Sequence, residues 1–169
     1  CFDWIDASLY ERFSKIEGYY GRTLSMSFPP TLHLAASLFP AAKRVSIVAS
    51  PIDPEHIPAL RSDIALMRMS FPHLDLVPFF NTEYETVKRA LSESTADSLT
   101  LLLPGSWLLA DGEQLGGRAA LERLDAAAPM PYFGITIDTF GSGLVGGCFV
   151  DREQMGHEAA SITNNILKN

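Results

Sequence analysis

A chain of 169 residues, of which 47% are hydrophobic and 20% charged, has the composition of a folded globular protein, which excludes general disorder. The formal net charge of -7, with 13 scattered basic residues, disfavours a nucleic-acid partner, because phosphate binding needs clustered Lys and Arg. No apolar run approaches the roughly 20 residues that span a bilayer, and no secretory leader pattern is recognisable.

Two cysteines, Cys1 and Cys148, are far apart in the sequence and have apolar neighbours. Such residues form either a disulfide or two buried free thiols, and the sequence leaves both open. The cysteine count therefore does not assign a cellular compartment.

From residue 44 onward, short apolar or β-branched runs alternate with stretches that carry apolar residues at helical spacing. This alternation is typical of βαβ units with a parallel sheet. The apolar runs predict five strands, at 44–50, 74–80, 98–103, 132–137 and 144–150. Helix-start signals predict N-caps at Asp53 and Asp151, a capping box from Thr82 to Glu85, and a helix over 117–128.

The character of two runs helps to order these strands. The 98–103 run is almost continuously apolar, as expected of a central strand that is buried on both faces. Pro78 within the 74–80 run indicates an edge strand, because proline cannot donate a hydrogen bond to a neighbouring strand. The sequence thus predicts an α/β fold with a doubly wound, mainly parallel five-stranded sheet in the flavodoxin-like order 2-1-3-4-5 and helices on both faces.

Residues 1–42 do not follow this rhythm. A strand is predicted at 22–28, and a short helix at 30–39 can pack on the lobe formed by residues 43–169. Residues 1–21 have no strong period, which leaves a hinge, an arm or part of another domain open. The predicted organisation therefore divides the chain between residues 42 and 43.

A glycine-rich segment, Gly141-Ser142-Gly143 followed by Gly146, matches the G-x-G-x-x-G pattern of dinucleotide sites. In those sites a strand precedes the glycines and a helix opens within them, whereas here a strand follows. Nucleotide binding is therefore disfavoured, and no cofactor is expected. The glycines are better explained by a tight turn and by close backbone approach, to a ligand or to a neighbouring lobe.

No constellation of side chains indicates an enzyme or a metal site. The four histidines never stand at metal-ligand spacings. Ser106 and Ser142 are flanked by glycine, but neither lies in G-x-S-x-G and no histidine is placed to activate them. Asp111 and Glu113 are explained as well by a polar surface loop as by paired carboxylates.

Open parallel sheets bind ligands outside the carboxyl ends of their strands, near the point where the strand order reverses. The residues there offer hydroxyls, one carboxylate, two aromatic rings and a glycine amide, a set that holds a small polar ligand in an apolar cleft. They are Ser50 after the first strand, Ser106 and Trp107 after the third, and Asp138, Thr139, Phe140 and Gly141 after the fourth. For the two aromatic rings, packing against a partner lobe is as good an interpretation as ligand stacking.

Several segments resemble a known family. Residues 131–147, 155–160 and 166–168 are similar to the closing third of the type I periplasmic-binding-protein family of uncharacterised ABC-type substrate-binding components. Residues 38–48 resemble the start of that family's second lobe. Related modules serve as extracytoplasmic sensor domains of bacterial histidine kinases and diguanylate cyclases, and residues 101–112 look more like this sensor branch.

The resemblance implies that residues 43–169 form the second lobe of a two-lobed binding protein, with 1–42 as a partial first-lobe or hinge segment. The chain would then be a fragment that carries one side of a cleft for an amino acid or small organic compound. In that cleft Asp138 would pair with an amine, and Trp107 or Phe140 would stack on the ligand. Hydrogen bonds would come from Ser50, Ser106 and Thr139.

The implied function is an extracytoplasmic, small-molecule-binding sensory domain of a bacterial membrane signalling protein, with no enzymatic activity of its own. The alternative is the periplasmic solute-binding component of an ABC importer. Expected partners are the missing first lobe, a membrane-anchored parent or a permease, and a second copy of the chain, but not nucleic acid. Closure of the two lobes on the ligand would pass a hinge motion onward.

Overall fold

The computed structural model describes residues 15–16, 28–49, 52, 54–103, 105–136, 140–149 and 152–167. The chain divides into two compact units. The first, here called the sheet unit, spans Ser27–Phe149. It contains the helix predicted near residue 30 as well as the five strands of the parallel sheet. The second combines Cys1–Met26 with Val150–Asn169.

The sheet unit has the predicted α/β fold, with a five-stranded, all-parallel sheet. The five strands are β1 (Arg44–Ala49), β2 (Asp75–Phe80), β3 (Ser98–Leu103), β6 (Tyr132–Gly134) and β7 (Leu144–Gly147). Their order in the sheet is β2-β1-β3-β6-β7, which is the flavodoxin-like order 2-1-3-4-5 when only the strands of this sheet are counted. A separate antiparallel hairpin consists of β4 (Trp107–Leu108) and β5 (Gln114–Leu115).

Helices cover both faces of the sheet. The first, α1 (Phe28–Leu38), packs against α2 (Ile57–Ser70), which follows a 3-10 turn at Pro54–His56. On the opposite face α3 (Tyr84–Ser92) packs against α4 (Gly117–Ala127). The fifth helix, α5 (Arg152–Leu167), belongs to the second unit.

The centre of the sheet is apolar on both faces. Every residue of β3 is buried, and in β1 only Arg44 is exposed. Helix α3 buries the predicted stripe of Tyr84, Val87 and Leu91. The core between the sheet and the α3–α4 layer consists of Val48, Tyr84, Val87, Leu91, Leu102, Trp107, Leu115, Ala120, Leu121, Leu124, Ala128 and Tyr132.

The last two strands of the sheet are shorter than their apolar runs predict. The fourth ends at Gly134, and its neighbour ends at Gly147. Because β7 is parallel to β6, the chain must leave the sheet and return to the amino end before Leu144. This return uses residues that the sequence pattern assigned to the strand, of which Ile137 lies outside the described residues.

Several local predictions are wrong. Glu83, rather than Thr82, is the N-cap of α3, and no side-chain cap bond forms, because the Thr82 hydroxyl donates to the carbonyl of Phe80 instead. The loop after β3 contains the β4–β5 hairpin, in which the N–H of Leu109 donates to the carbonyl of Glu113. Cys148 is a free, exposed cysteine, not a buried one.

Other predictions fall largely outside the described residues. They are the strand at 22–28, the period-free stretch 1–21 apart from Lys15 and Ile16, and the N-cap at Asp151. Asp53 itself is also outside the described residues, but the N-cap of α2 is His56, because a 3-10 turn at Pro54–His56 precedes the α-helix, so the prediction of an N-cap at Asp53 is wrong. Phe28, the end of the predicted strand, is the first residue of α1. Within the glycine-rich segment, Gly141 and Gly143 have φ values of 84° and 99°, which confirms the predicted tight turn.

Candidate functional site

The carboxyl ends of β1, β2, β3 and β6 meet at one edge of the sheet, here called the carboxyl edge. From β1 the chain first moves outward to β2 and then crosses back to β3, so the winding direction reverses between β1 and β3. In doubly wound sheets this reversal opens a crevice between the two following loops, and ligands bind there. The candidate site is therefore the crevice above the ends of β1 and β3.

An asparagine fixes one wall of this crevice. Asn81, directly after β2, has φ of 48°, a left-handed conformation that asparagine adopts more readily than most residues. Its side-chain oxygen accepts a hydrogen bond of 2.7 Å from the N–H of Ile52 in the loop after β1. The loops after β1 and β2 are thus joined by a side chain rather than left to move separately.

Trp107 joins the loops after β2 and β3. Its side chain is 2% exposed, and its indole Nε1 donates a 3.0 Å hydrogen bond to the carbonyl of Thr82. The ring packs edge-to-face on Tyr84, with centroids 5.7 Å apart. Among the described residues, Trp107 therefore packs in the core of its own unit. This arrangement is neither ligand stacking nor contact with a partner lobe, and it agrees with the third interpretation that the sequence allows, a residue at the edge of the core.

The hydroxyl of Tyr84 is a polar group that the sequence did not single out. The side chain is 3% exposed, and its oxygen has no hydrogen-bond partner in the part of the chain that the structure describes. Burial raises the pKa of this phenol, and the charge of Glu85 adds to the rise, while Arg123 opposes it. A buried hydroxyl without a partner costs about 1–3 kcal/mol. Tyr84 belongs to the core between the sheet and the α3–α4 layer, and Arg123 on α4 is one of the charges that act on its phenol, so this hydroxyl lies on the inner side of α3.

Helical spacing predicted correctly that the ring of Tyr84 is buried, but spacing carries no information on the partner of its hydroxyl. The same holds for Thr136, two residues beyond β6, whose buried side-chain oxygen also has no partner among the described residues. Because Thr136 follows the carboxyl end of β6, a ligand at this edge would satisfy its oxygen. Unsatisfied buried groups of this kind are few in native proteins and mark candidate sites.

Of the residues predicted to bind ligand, Ser106 is the one that the structure leaves exposed at the carboxyl edge, between Gly105 and the buried Trp107. Ser50, Asp138 and Thr139 lie outside the described residues. The roles proposed for these three, including an ion pair with a ligand amine, therefore stay predictions.

Phe140 and Gly141 lie in the turn that leads into β7. Phe140 is 58% exposed and packs edge-to-face on Phe149, with ring centroids 5.6 Å apart. Gly143, two residues further on, approaches Asp125 near the end of α4. The turn leads to the amino end of β7, which lies at the opposite edge of the sheet from Ser106. Gly141 therefore lies in a segment that runs away from the carboxyl edge.

The described part of the chain contains no cluster of three or more His, Cys, Asp or Glu side chains that could hold a metal ion. No described helix has both the length and the apolar character needed to cross a membrane. A scan against protein-family models finds no match to this sequence, and a search of the curated proteins finds none. The case for function therefore rests on the residues themselves.

Proposed function

We propose that the chain supplies one wall of a small-molecule-binding cleft, as the second lobe of a periplasmic-binding-protein-like receptor. The observation that carries this proposal is the crevice at the reversal point between β1 and β3, whose flanking loops are joined by Asn81 and Trp107. A binding wall that is already ordered loses little conformational entropy when the ligand binds. These two bonds supply that order without occupying the exposed Ser106.

In this proposal the ligand is an amino acid or a small organic compound that bridges the crevice and a second lobe. Ser106 hydrogen-bonds its polar groups, and Asp138 pairs with its amine. Each lobe alone has only part of the contacts, so the ligand favours the closed arrangement by its differential affinity for it. Closure is then the signal.

The resemblance stated above supports a sensory role at the cell exterior, in a membrane-bound signalling protein of bacteria. It equally includes substrate-binding components of ABC importers, which is the second candidate. Both use the same cleft and the same closure, and they differ in what the closed form contacts. A kinase or cyclase in the same polypeptide supports sensing, and a permease partner supports import.

The first test is a thermal-shift screen of the two-lobed protein that contains this chain, against amino acids and small organic acids, followed by calorimetry on each hit. A ligand raises the unfolding temperature because it stabilises the folded state by RT ln(1 + [L]/Kd). We expect Ser106→Ala to weaken binding about tenfold, which corresponds to one lost hydrogen bond of roughly 1.4 kcal/mol. Asp138→Ala should weaken an amine-bearing ligand more.

The matched control is Ser62→Ala, because Ser62 is an exposed serine on α2 whose hydroxyl bonds only within its helix, to the carbonyl of Pro58. It should leave the affinity unchanged. If Ser106→Ala and Asp138→Ala bind as tightly as Ser62→Ala, the carboxyl edge is not the binding wall and the proposal is wrong.

A further inference from the structure

We infer that the sheet unit carries a second small-molecule site, on its outer edge between α2 and β2, for an organic anion with an apolar body. A cavity of about 460 Å³ lies there, lined by Arg61, Ile64, Arg68, Pro78, Phe80 and Thr82. Cavities that hold small molecules have volumes of roughly 300–1,000 Å³. The walls of this one are the outer helix and the outer strand, so it is not the crevice between β1 and β3.

The helix wall follows from the spacing of three side chains on α2. Ile64 and Arg68 follow Arg61 by three and seven residues, so the three side chains share one face of the helix over two turns. Two guanidinium groups thus flank one aliphatic side chain along about 10 Å of helix. Guanidinium groups bind carboxylates and phosphates through paired N–H donors, with better geometry than an ammonium group offers.

The strand wall is apolar. Pro78 and Phe80 are two residues apart on β2, so their side chains lie on the same face of the sheet as Leu76, whose carbonyl contacts Arg68 of α2. Pro78 is exposed and Phe80 is partly exposed, and none of the described strands lies outside β2 at this edge. A ligand with a flat or aliphatic body can therefore pack on these two rings while its charged end meets the helix.

The charge of the cavity is opposite to that of the chain. The net charge is -7, yet none of the six lining residues that the structure describes is acidic. Elsewhere among the described residues, Lys43, Arg44, Lys88 and Arg123 form ion pairs with carboxylates. No such pair joins Arg61 or Arg68 to a carboxylate within the described ranges.

Arg68 is also held in position. Its Nη2 donates a 3.3 Å hydrogen bond to the carbonyl of Leu76, which directs the guanidinium along the strand and leaves its other donors available. Arg61, which is exposed, makes no such hydrogen bond within the described ranges and is the less constrained of the two. The pair supplies one fixed and one adjustable donor group for a single anionic ligand.

The test is an NMR titration of the isotopically labelled chain with naphthalene-2-carboxylate, an anion with a flat apolar body. We expect saturable shifts of the Nε–H signals of Arg61 and Arg68 and of the backbone amides of Ile64, Phe80 and Thr82. The neutral naphthalene-2-carboxamide should bind at least tenfold more weakly, and so should inorganic phosphate. The first comparison isolates the charge and the second isolates the apolar body.

Arg61→Gln should weaken the carboxylate at least tenfold, and Arg61→Lys should restore part of that loss. Arg118→Gln is the matched control, because Arg118 is an exposed arginine on α4, on the other face of the sheet. Equal affinity for carboxylate and carboxamide, equal affinity for phosphate, or equal loss in the Arg61 and Arg118 variants would each overturn the inference. Shifts that map to Ser106 instead would also overturn it, while supporting the carboxyl-edge crevice.

Discussion

The sheet ends at two outer strands, and the two are closed in different ways. In β2, the backbone groups of Asp75, Val77 and Phe79 bond to β1. The backbone groups of the alternate residues, Leu76, Pro78 and Phe80, therefore face outward. Side chains occupy this open edge. Arg68 donates to the carbonyl of Leu76, the Thr82 hydroxyl donates to that of Phe80, and Pro78 has no N–H to offer.

At β7 the closure depends on close backbone approach and on a single buried hydroxyl. Gly147 is paired with Gly134 of β6, and a Cβ built on Gly147 would overlap the carbonyl oxygen of Gly134. Helix α1 adds the buried hydroxyl of Thr31, which accepts a 3.1 Å hydrogen bond from the N–H of Cys148. It also donates to the Gly134 carbonyl at 3.5 Å.

The difference predicts where substitutions are tolerated. The β2 edge relies on long or exposed side chains, which can be replaced at small cost. The β7 edge relies on the absence of side chains and on one buried hydroxyl, and a close-packed interior tolerates few changes of volume. We therefore expect the same chemical change to cost more at β7 than at β2.

The largest expected effect is that of Gly147→Ala. The new methyl group would meet backbone atoms of Gly134, which cannot rotate away as a side chain can, so the pairing of β6 with β7 must shift. Overpacking of this kind costs about 3 kcal/mol. Urea denaturation measures it as a lower midpoint.

Gly146→Ala, one residue earlier on the same strand, is the control, because a Cβ at Gly146 would have one neighbour within 4 Å, the side chain of Leu34 at 3.8 Å, which is an ordinary contact. We expect it to change stability by less than about 0.5 kcal/mol. Equal midpoints for the two variants would show that β7 is not closely packed on β6.

Replacing one threonine at each edge compares them directly. Thr31→Val removes a fully buried hydroxyl and leaves the N–H of Cys148 without its partner, which should cost about 1–2 kcal/mol. Thr82→Val removes a single bond of 3.3 Å to Phe80 at a partly exposed site, and should cost less than about 0.5 kcal/mol. Denaturation midpoints in the reverse order would contradict the comparison.

Sequence patterns predict one of these edges and not the other. Pro78 alone identifies β2 as an outer strand, because its lack of a donor has a direct structural meaning. The apolar runs then give the strand order. The glycine-rich pattern predicts a turn, which Gly141 and Gly143 form, but the closest backbone approach is at Gly147, one residue beyond the pattern. That approach depends on pairing with Gly134, which no local pattern specifies.

The candidate site shows the same limit. The rule for open sheets predicts that ligand residues lie at the strand ends, and Ser106 does lie there. Whether the ring of Trp107 faces a ligand or the core depends on the β4–β5 hairpin, whose strands have two residues each and are too short to show a period. Whether the hydroxyl of Tyr84 finds a hydrogen-bond partner depends on the positions of all the side chains that surround it, which no local pattern specifies.

A smaller change in stability is expected from Asp63, whose carboxyl contacts the first residue of α1, the helix that supports the β7 edge. Burial raises the pKa of the Asp63 carboxyl, although a hydrogen bond from the backbone N–H of Phe28 lowers it in part. A folded-state pKa above the unfolded value means that the folded chain binds more protons in this range. The associated stability is full at low pH and is lost as the pH rises through the raised pKa.

Asp63→Asn keeps an acceptor for the Phe28 N–H but cannot ionise, so the fall in unfolding temperature above about pH 4 should become smaller. Asp97→Asn is the opposite control, because hydrogen bonds from Thr95 and then Lys43 lower the pKa of Asp97. The wild type should lose the Asp97 contribution as the pH falls, and that variant should not. Identical pH profiles for wild type and Asp63→Asn would exclude the assigned role of Asp63.

The smallest change in stability is expected at Pro78. Pro78→Thr adds an outward N–H to an edge whose flanking carbonyls, of Leu76 and Phe80, are already occupied, so stability should change by less than about 0.5 kcal/mol. The single variant should also not self-associate more than the wild type. Combining it with Arg68→Met exposes a donor and an acceptor on the same edge, which is the template that promotes strand addition. Sedimentation at rising concentration should then show association of the double variant, and its absence would mean that something other than these side chains protects the β2 edge.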